Sequence, residues 1–98
     1  MEESRLITLK TVTGSGEVSE TPCLIYSICG IGIADAANVY GIHNGHGTSD
    51  TRRFRLVAGS YDADFRLFSP PVFFSKGLYV DFNTGGSEVT VQFLKLAR

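Results

Sequence analysis

The sequence predicts an all-β protein: a single small β-sandwich or jelly-roll-like domain of about seven or eight short antiparallel strands. Three observations carry this. Apolar residues recur with a period of two along most of the chain, clusters of Gly, Pro, Asn, Asp and Ser interrupt them at short intervals, and no long segment has the spacing of an amphipathic helix. With 98 residues, 43% of them hydrophobic and 19% charged, the chain has material for one core and one domain, residues 1–98. A domain this small hides roughly two-thirds of its unfolded surface, so association with neighbours would add to a modest stability.

The first strand is expected over residues 5–12, closed by Gly14-Ser15-Gly16. Residues 22–29 follow and are apolar on both faces, which requires cover on two sides, either under a loop of the sandwich or at a subunit interface. Cys23 and Cys29 lie in this segment. On one extended strand they share a face but stand about 20 Å apart. That is too far for a disulfide, so both are expected to be reduced, buried thiols. Residues 36–42 read as a strand because Val39, Tyr40 and Ile42 favour one. Residues 43–50 form the most polar stretch and are expected to be a solvated loop.

Residues 52–58 and 61–69 flank Gly59-Ser60, a pair suited to a type II′ hairpin turn. Closing the hairpin there puts Ala58 opposite Tyr61, Arg55 opposite Asp64 and Phe54 opposite Phe65. It also sets Arg53 against Arg66, a like-charge mismatch that an acidic partner would relieve. Pro70-Pro71 is expected to end the strand, and residues 72–74 to form a short edge segment. Residues 77–82 and 88–94, joined at Gly85-Gly86, complete the set. Leu78, Val80 and Phe82 with Val89, Val91 and Phe93 supply two facing rows of one core.

With nine basic and ten acidic residues the formal net charge is -1, so no global field draws the chain to nucleic acid or to an anionic membrane. The acidic start, Met1-Glu2-Glu3, is unlike a secretion signal, and no apolar run approaches the length of a membrane span. No serine or cysteine is proposed beside an oriented histidine, and neither Gly14-Ser15-Gly16 nor Gly45-His46-Gly47 is a phosphate loop, so an enzyme is not expected and no catalytic residue is assigned. His43, His46 and Asp50 have the chemistry of metal ligands but sit in a loop with no rigid frame, so no metal and no cofactor are expected. Asp62 and Asp64 alternate with apolar residues and read as an outward polar face. Arg52, Arg53, Arg55 and Arg66 are the one basic concentration, without the exposed aromatics of a single-strand binder. Arg53, Arg55 and Arg66, with His43 and Asn44 of the polar loop, are therefore the candidate partner-binding residues. A carbohydrate-binding module would need aromatics exposed on a loop or flat face, whereas Tyr26, Tyr40, Tyr61 and Tyr79 are all expected in strands.

Cys23-Leu24-Ile25-Tyr26-Ser27-Ile28, Val39-Tyr40 before a glycine-rich loop, Phe74-Ser75-Lys76-Gly77-Leu78-Tyr79-Val80 and Val89-Thr90-Val91 together resemble the small β-sandwich virion proteins of tailed bacteriophages. The resemblance spans roughly residues 20–95, and Gly-Leu-Tyr-Val is its strongest element. The loop His43-Asn44-Gly45-His46-Gly47 departs from it by being longer. The resemblance implies a structural protein, foremost a capsid decoration (cement) protein that bridges capsid subunits. A minor neck or tail component, or a host-receptor or carbohydrate-binding module, is the alternative. It implies further copies of the chain, as dimer or trimer, and a major capsid or other virion protein as partners. The expected location is the virion, after synthesis in a host cytoplasm.

Overall fold

The computed structural model describes residues 7–32, 38–59, 61–84 and 87–96. It contains eight strands: β1 (Thr8–Val12), β2 (Gly16–Ser19), β3 (Cys23–Ile31), β4 (Asn38–Asn44), β5 (Arg52–Ala58), β6 (Ala63–Phe74), β7 (Leu78–Thr84) and β8 (Glu88–Lys95). They form two four-stranded sheets, β1-β8-β3-β6 and β2-β7-β4-β5, here called sheets A and B. Every pairing is antiparallel. First pairs with last, second with seventh, third with sixth and fourth with fifth, which is one long antiparallel ribbon wound across two layers. That is the jelly-roll arrangement.

The predicted rows do face one another across the layers: Leu78 and Val80 of β7 and Val89, Val91 and Phe93 of β8 are all buried. Val18, Cys23, Ile25, Ile28, Tyr40, Ile42, Leu56 and Phe74 complete the core. Tyr40 holds its centre. A Cβ on Gly30 would come within 2.7 Å of the Tyr40 ring, so the missing side chain of β3 is the space that the ring fills. The Tyr40 hydroxyl donates to the Ile31 carbonyl and accepts from the Ser87 N–H at 3.0 Å, so one residue of sheet B ties down the end of β3 and the start of β8.

Several expectations fail for identifiable reasons. β5 and β6 do not pair: β5 lies against β4 in sheet B and β6 against β3 in sheet A. Their connection crosses between layers, as a jelly roll requires, and none of the predicted hairpin opposites is formed. Phe54 instead packs on Phe68 and Phe74, with ring centroids 5.6 and 6.4 Å apart. Tyr61 is not in a strand; it sits at the crossing with φ 54° and is 82% exposed. Pro70-Pro71 does not end β6 either, which runs on to Phe74. β6 is a sheet edge, where a missing N–H costs no ladder bond, and residues 68–71 bulge opposite Tyr26.

That bulge also separates the cysteines. Along β3 the buried positions are Cys23 and Ile25, then Ile28 and Gly30, because Tyr26 is an extra residue against β8 and is left unpaired against the bulge of β6. An inserted residue reverses the alternation beyond it. Cys23 therefore points into the core, while Cys29 points out of the sandwich and is only partly buried. Both are free thiols, as expected, but they do not share a face.

Candidate functional site

Sheet A has an outer face built almost without charge. Its register lays the outward side chains in rows across the strands. Leu24 of β3 stands between Leu94 and Phe73, and Ser27 between Gln92 and Leu67. Cys29 stands between Thr90 and Phe65, and Ile31 between Glu88 and Ala63. Leu9 and Thr11 extend the second and third rows onto β1. Leu9 and Leu67 are each 70% exposed, Phe65 60% and Phe73 51%. Among the described residues Glu88, at one end, is the one charged member of these rows.

The polar members of the face bond to each other. The Thr11 and Thr90 hydroxyls are 2.8 Å apart, and the Ser27 hydroxyl donates to Gln92 Oε1 at 3.1 Å. Groups satisfied in this way add little to the cost of removing the face from water. Cys29 is in the middle of the face; partial burial, with Asp64 and Glu88 in the vicinity, raises its thiol above the ordinary range. Cys23, buried on the opposite side of the sheet, is pushed up to about 11 by loss of solvation.

The outer face of sheet B is different in kind. It carries Arg55 and Val57 on β5, Tyr79 and Asp81 on β7 and Glu17 on β2, with Gly41 and His43 of β4 between them. Charges of both signs lie across it.

The arginines predicted to meet a partner are distributed by this topology. Arg66 and Asp64 stand on β6 at the positions paired with buried Ile28 and Gly30, so they point toward sheet B and not outward. Asp64 takes two bonds from Arg66, Nε to Oδ1 at 2.9 Å and the second from a terminal guanidinium nitrogen to Oδ2 at 3.0 Å. Its Oδ2 also accepts the Val57 N–H of β5 at 2.9 Å, and Arg66 reaches the Arg55 carbonyl at 3.4 Å. From the other side, Arg53 donates to the Phe73 carbonyl at 3.3 Å with its guanidinium 5.2 Å from the Phe74 ring centre. These side chains lace the β5 and β6 edges together where no backbone ladder joins them. The Arg53–Arg66 opposition does not exist, and the reason it gave for an acidic partner falls with it. Asp64 is likewise no part of an outward polar face.

His43 belongs to β4 and not to the polar loop. It is 7% exposed, donates from Nδ1 to the Asp50 carbonyl at 3.0 Å and lies edge-on to Tyr79. Asn44, at the end of the same strand, accepts the Lys76 N–H at 2.9 Å and donates to the Ser75 hydroxyl at 3.2 Å. His46 is in the loop proper, paired with the Glu17 carboxylate through Nδ1. Asp50 accepts the His46 N–H at 2.8 Å, and this bond, with Lys76 3.8 Å away, holds its carboxyl below the usual range. His43 and His46 thus organise the loop through Asp50, one at its carbonyl and the other, by its backbone N–H, at its carboxylate. Among the described residues no three metal-ligating side chains gather.

The exposed apolar face was half visible in the sequence, as the strand over residues 22–29 that is apolar on both sides. The β6 half was missed because Phe65 and Leu67 alternate with Asp64 and Arg66, and the ordinary rule sends the charges out. Compared with known proteins, the chain matches no family model, no curated protein and no solved structure, so no family or homologue identifies it as a phage protein.

Proposed function

We propose that this chain is a non-enzymatic structural subunit whose working surface is the outer face of sheet A, and that it serves in a tailed-phage virion as a capsid decoration protein bridging capsid subunits. The observation that carries the reading is the row structure of that face. Large apolar side chains at 51–70% exposure sit on a sheet face whose hydroxyl and amide groups are already paired. A monomer gains nothing by keeping such a surface in water, and contiguous exposed apolar patches mark protein contact sites. The virion assignment draws on the motif resemblance, and a jelly roll is an architecture that viral capsid domains share with lectins and cupins.

One observation favours a second reading, a receptor- or carbohydrate-binding module. Tyr61 is exposed at the crossing between β5 and β6, at the same end of β6 as Phe65. Sugar recognition also needs free hydrogen-bonding groups beside the aromatics, and on this face the polar groups bond to one another. The two readings separate by quantitative mass spectrometry of purified particles. The decoration reading expects the chain at a stoichiometry close to that of the major capsid protein. A copy number far below it points to the neck or tail, and absence from the particle contradicts the virion reading.

A further inference from the structure

We propose that the outer face of sheet A is occupied by the same face of a second copy of this chain, forming a closed twofold dimer. This rests on the reading of that face as the assembly surface and names its partner. Three features select a second copy.

The first is charge. A twofold pairing brings the residues on its axis against their own copies, so a charge near the axis meets a like charge and an uncharged centre suits the pairing. Among the described residues the outer face of sheet A carries one charge, Glu88, and that lies at its end. The outer face of sheet B carries Arg55, Asp81 and Glu17, and is unsuited to dry burial.

The second is area. The exposed parts of Leu9, Ile31, Phe65, Leu67 and Phe73, with the partly buried rows between them, amount to on the order of 700 Å². A stable interface takes roughly 800 Å² from each partner.

The third is continuity. Apolar side chains stand on all four strands of the face, Leu9 on β1, Leu94 on β8, Leu24 and Ile31 on β3, and Phe65, Leu67 and Phe73 on β6, so two copies can pack face to face as two sheets of a sandwich do. With one such face per chain the association stops at two.

Sedimentation equilibrium of the full chain tests this, with Leu67→Glu, Phe65→Lys and Val57→Glu as variants. Leu67 and Phe65 are exposed on the proposed interface, and Val57 is exposed on the opposite side of the sandwich. The wild type and Val57→Glu are expected at twice the 10.6 kDa chain mass at micromolar concentration. Leu67→Glu and Phe65→Lys are expected at the single-chain mass, with association weakened at least tenfold and an unchanged melting temperature after dilution to monomer. Either of the two suffices if the other fails to fold. A wild type at the single-chain mass at all concentrations overturns the dimer, as does a dimer that survives both charges. A monomeric wild type still found in particles overturns the second copy alone, whereas absence from particles is the separate failure of the virion reading.

Discussion

Replacing Tyr40 with alanine is expected to lower the folding stability by about 3–5 kcal/mol, the range for removing a large aromatic from a packed core. A small domain holds only about 5–15 kcal/mol in total, so urea denaturation of this variant is expected to begin near zero denaturant. The ring is fully buried, meets Phe82 edge-on at 4.9 Å and fills the space that Gly30 leaves. Its hydroxyl bonds to both Ile31 and Ser87. Tyr40→Phe separates the two contributions: it keeps the ring and loses the hydroxyl, and is expected to cost about 1–3 kcal/mol. A melting curve for Tyr40→Ala within a few degrees of wild type would mean that the centre of the core lies elsewhere.

The seam between β5 and β6 gives the next largest effect. Asp64→Ala removes the acceptor of the Val57 N–H and of both Arg66 bonds, and is expected to cost about 2 kcal/mol. The Arg66 side chain is 42% exposed and its ion pair is screened by water, so the larger share comes from the Val57 bond. The Arg66 guanidinium, followed by the Val57 N–H, holds the Asp64 carboxyl below its ordinary value of 3.8. A carboxyl whose folded pKa is depressed contributes its stabilisation above the unfolded pKa and loses it as pH falls through the folded one. The wild type is therefore expected to lose stability as the pH drops below about 4, and Asp64→Ala to lose less over the same interval. Parallel urea midpoints for the two proteins from pH 6 to pH 3 would contradict the seam. Replacing Arg53 and Arg66 together by Gln, which the hairpin register would have left neutral, is expected to destabilise the chain for the same reason.

The contrast between these two regions shows what the sequence made legible. Period-two alternation and turn residues located seven of the eight strands, with β6 divided in two at its prolines, and the facing rows on β7 and β8 were correct; the four-residue β2, Gly16–Ser19, was missed because it is too short to show an alternation. Which strands pair was not legible where the pairing is non-local: Gly59-Ser60 has the chemistry of a tight hairpin turn, yet β5, ending at Ala58, and β6, starting at Ala63, belong to different sheets, and Ser60 itself lies outside the described residues. Local alternation also failed wherever an extra residue entered a strand. Tyr26 turned Cys29 outward, and the bulge at residues 68–71 let β6 continue past two prolines. The apolar face followed from the same cause. Once β6 joins β3, Asp64 and Arg66 must turn toward sheet B to lace its edge, which leaves Phe65 and Leu67 to face out.

Cys29 gives that face a natural probe, since it lies in the row between Thr90 and Phe65 while Cys23 is in the core. Alkylation of the two thiols, followed by mass spectrometry in dilute and in assembled protein, tests directly whether the outer face of sheet A is the assembly surface. The expected result is that Cys29 reacts in the dilute chain and becomes protected on assembly, while Cys23 stays unreactive in both until the chain unfolds. Equal Cys29 reactivity in dilute and assembled protein would contradict the account.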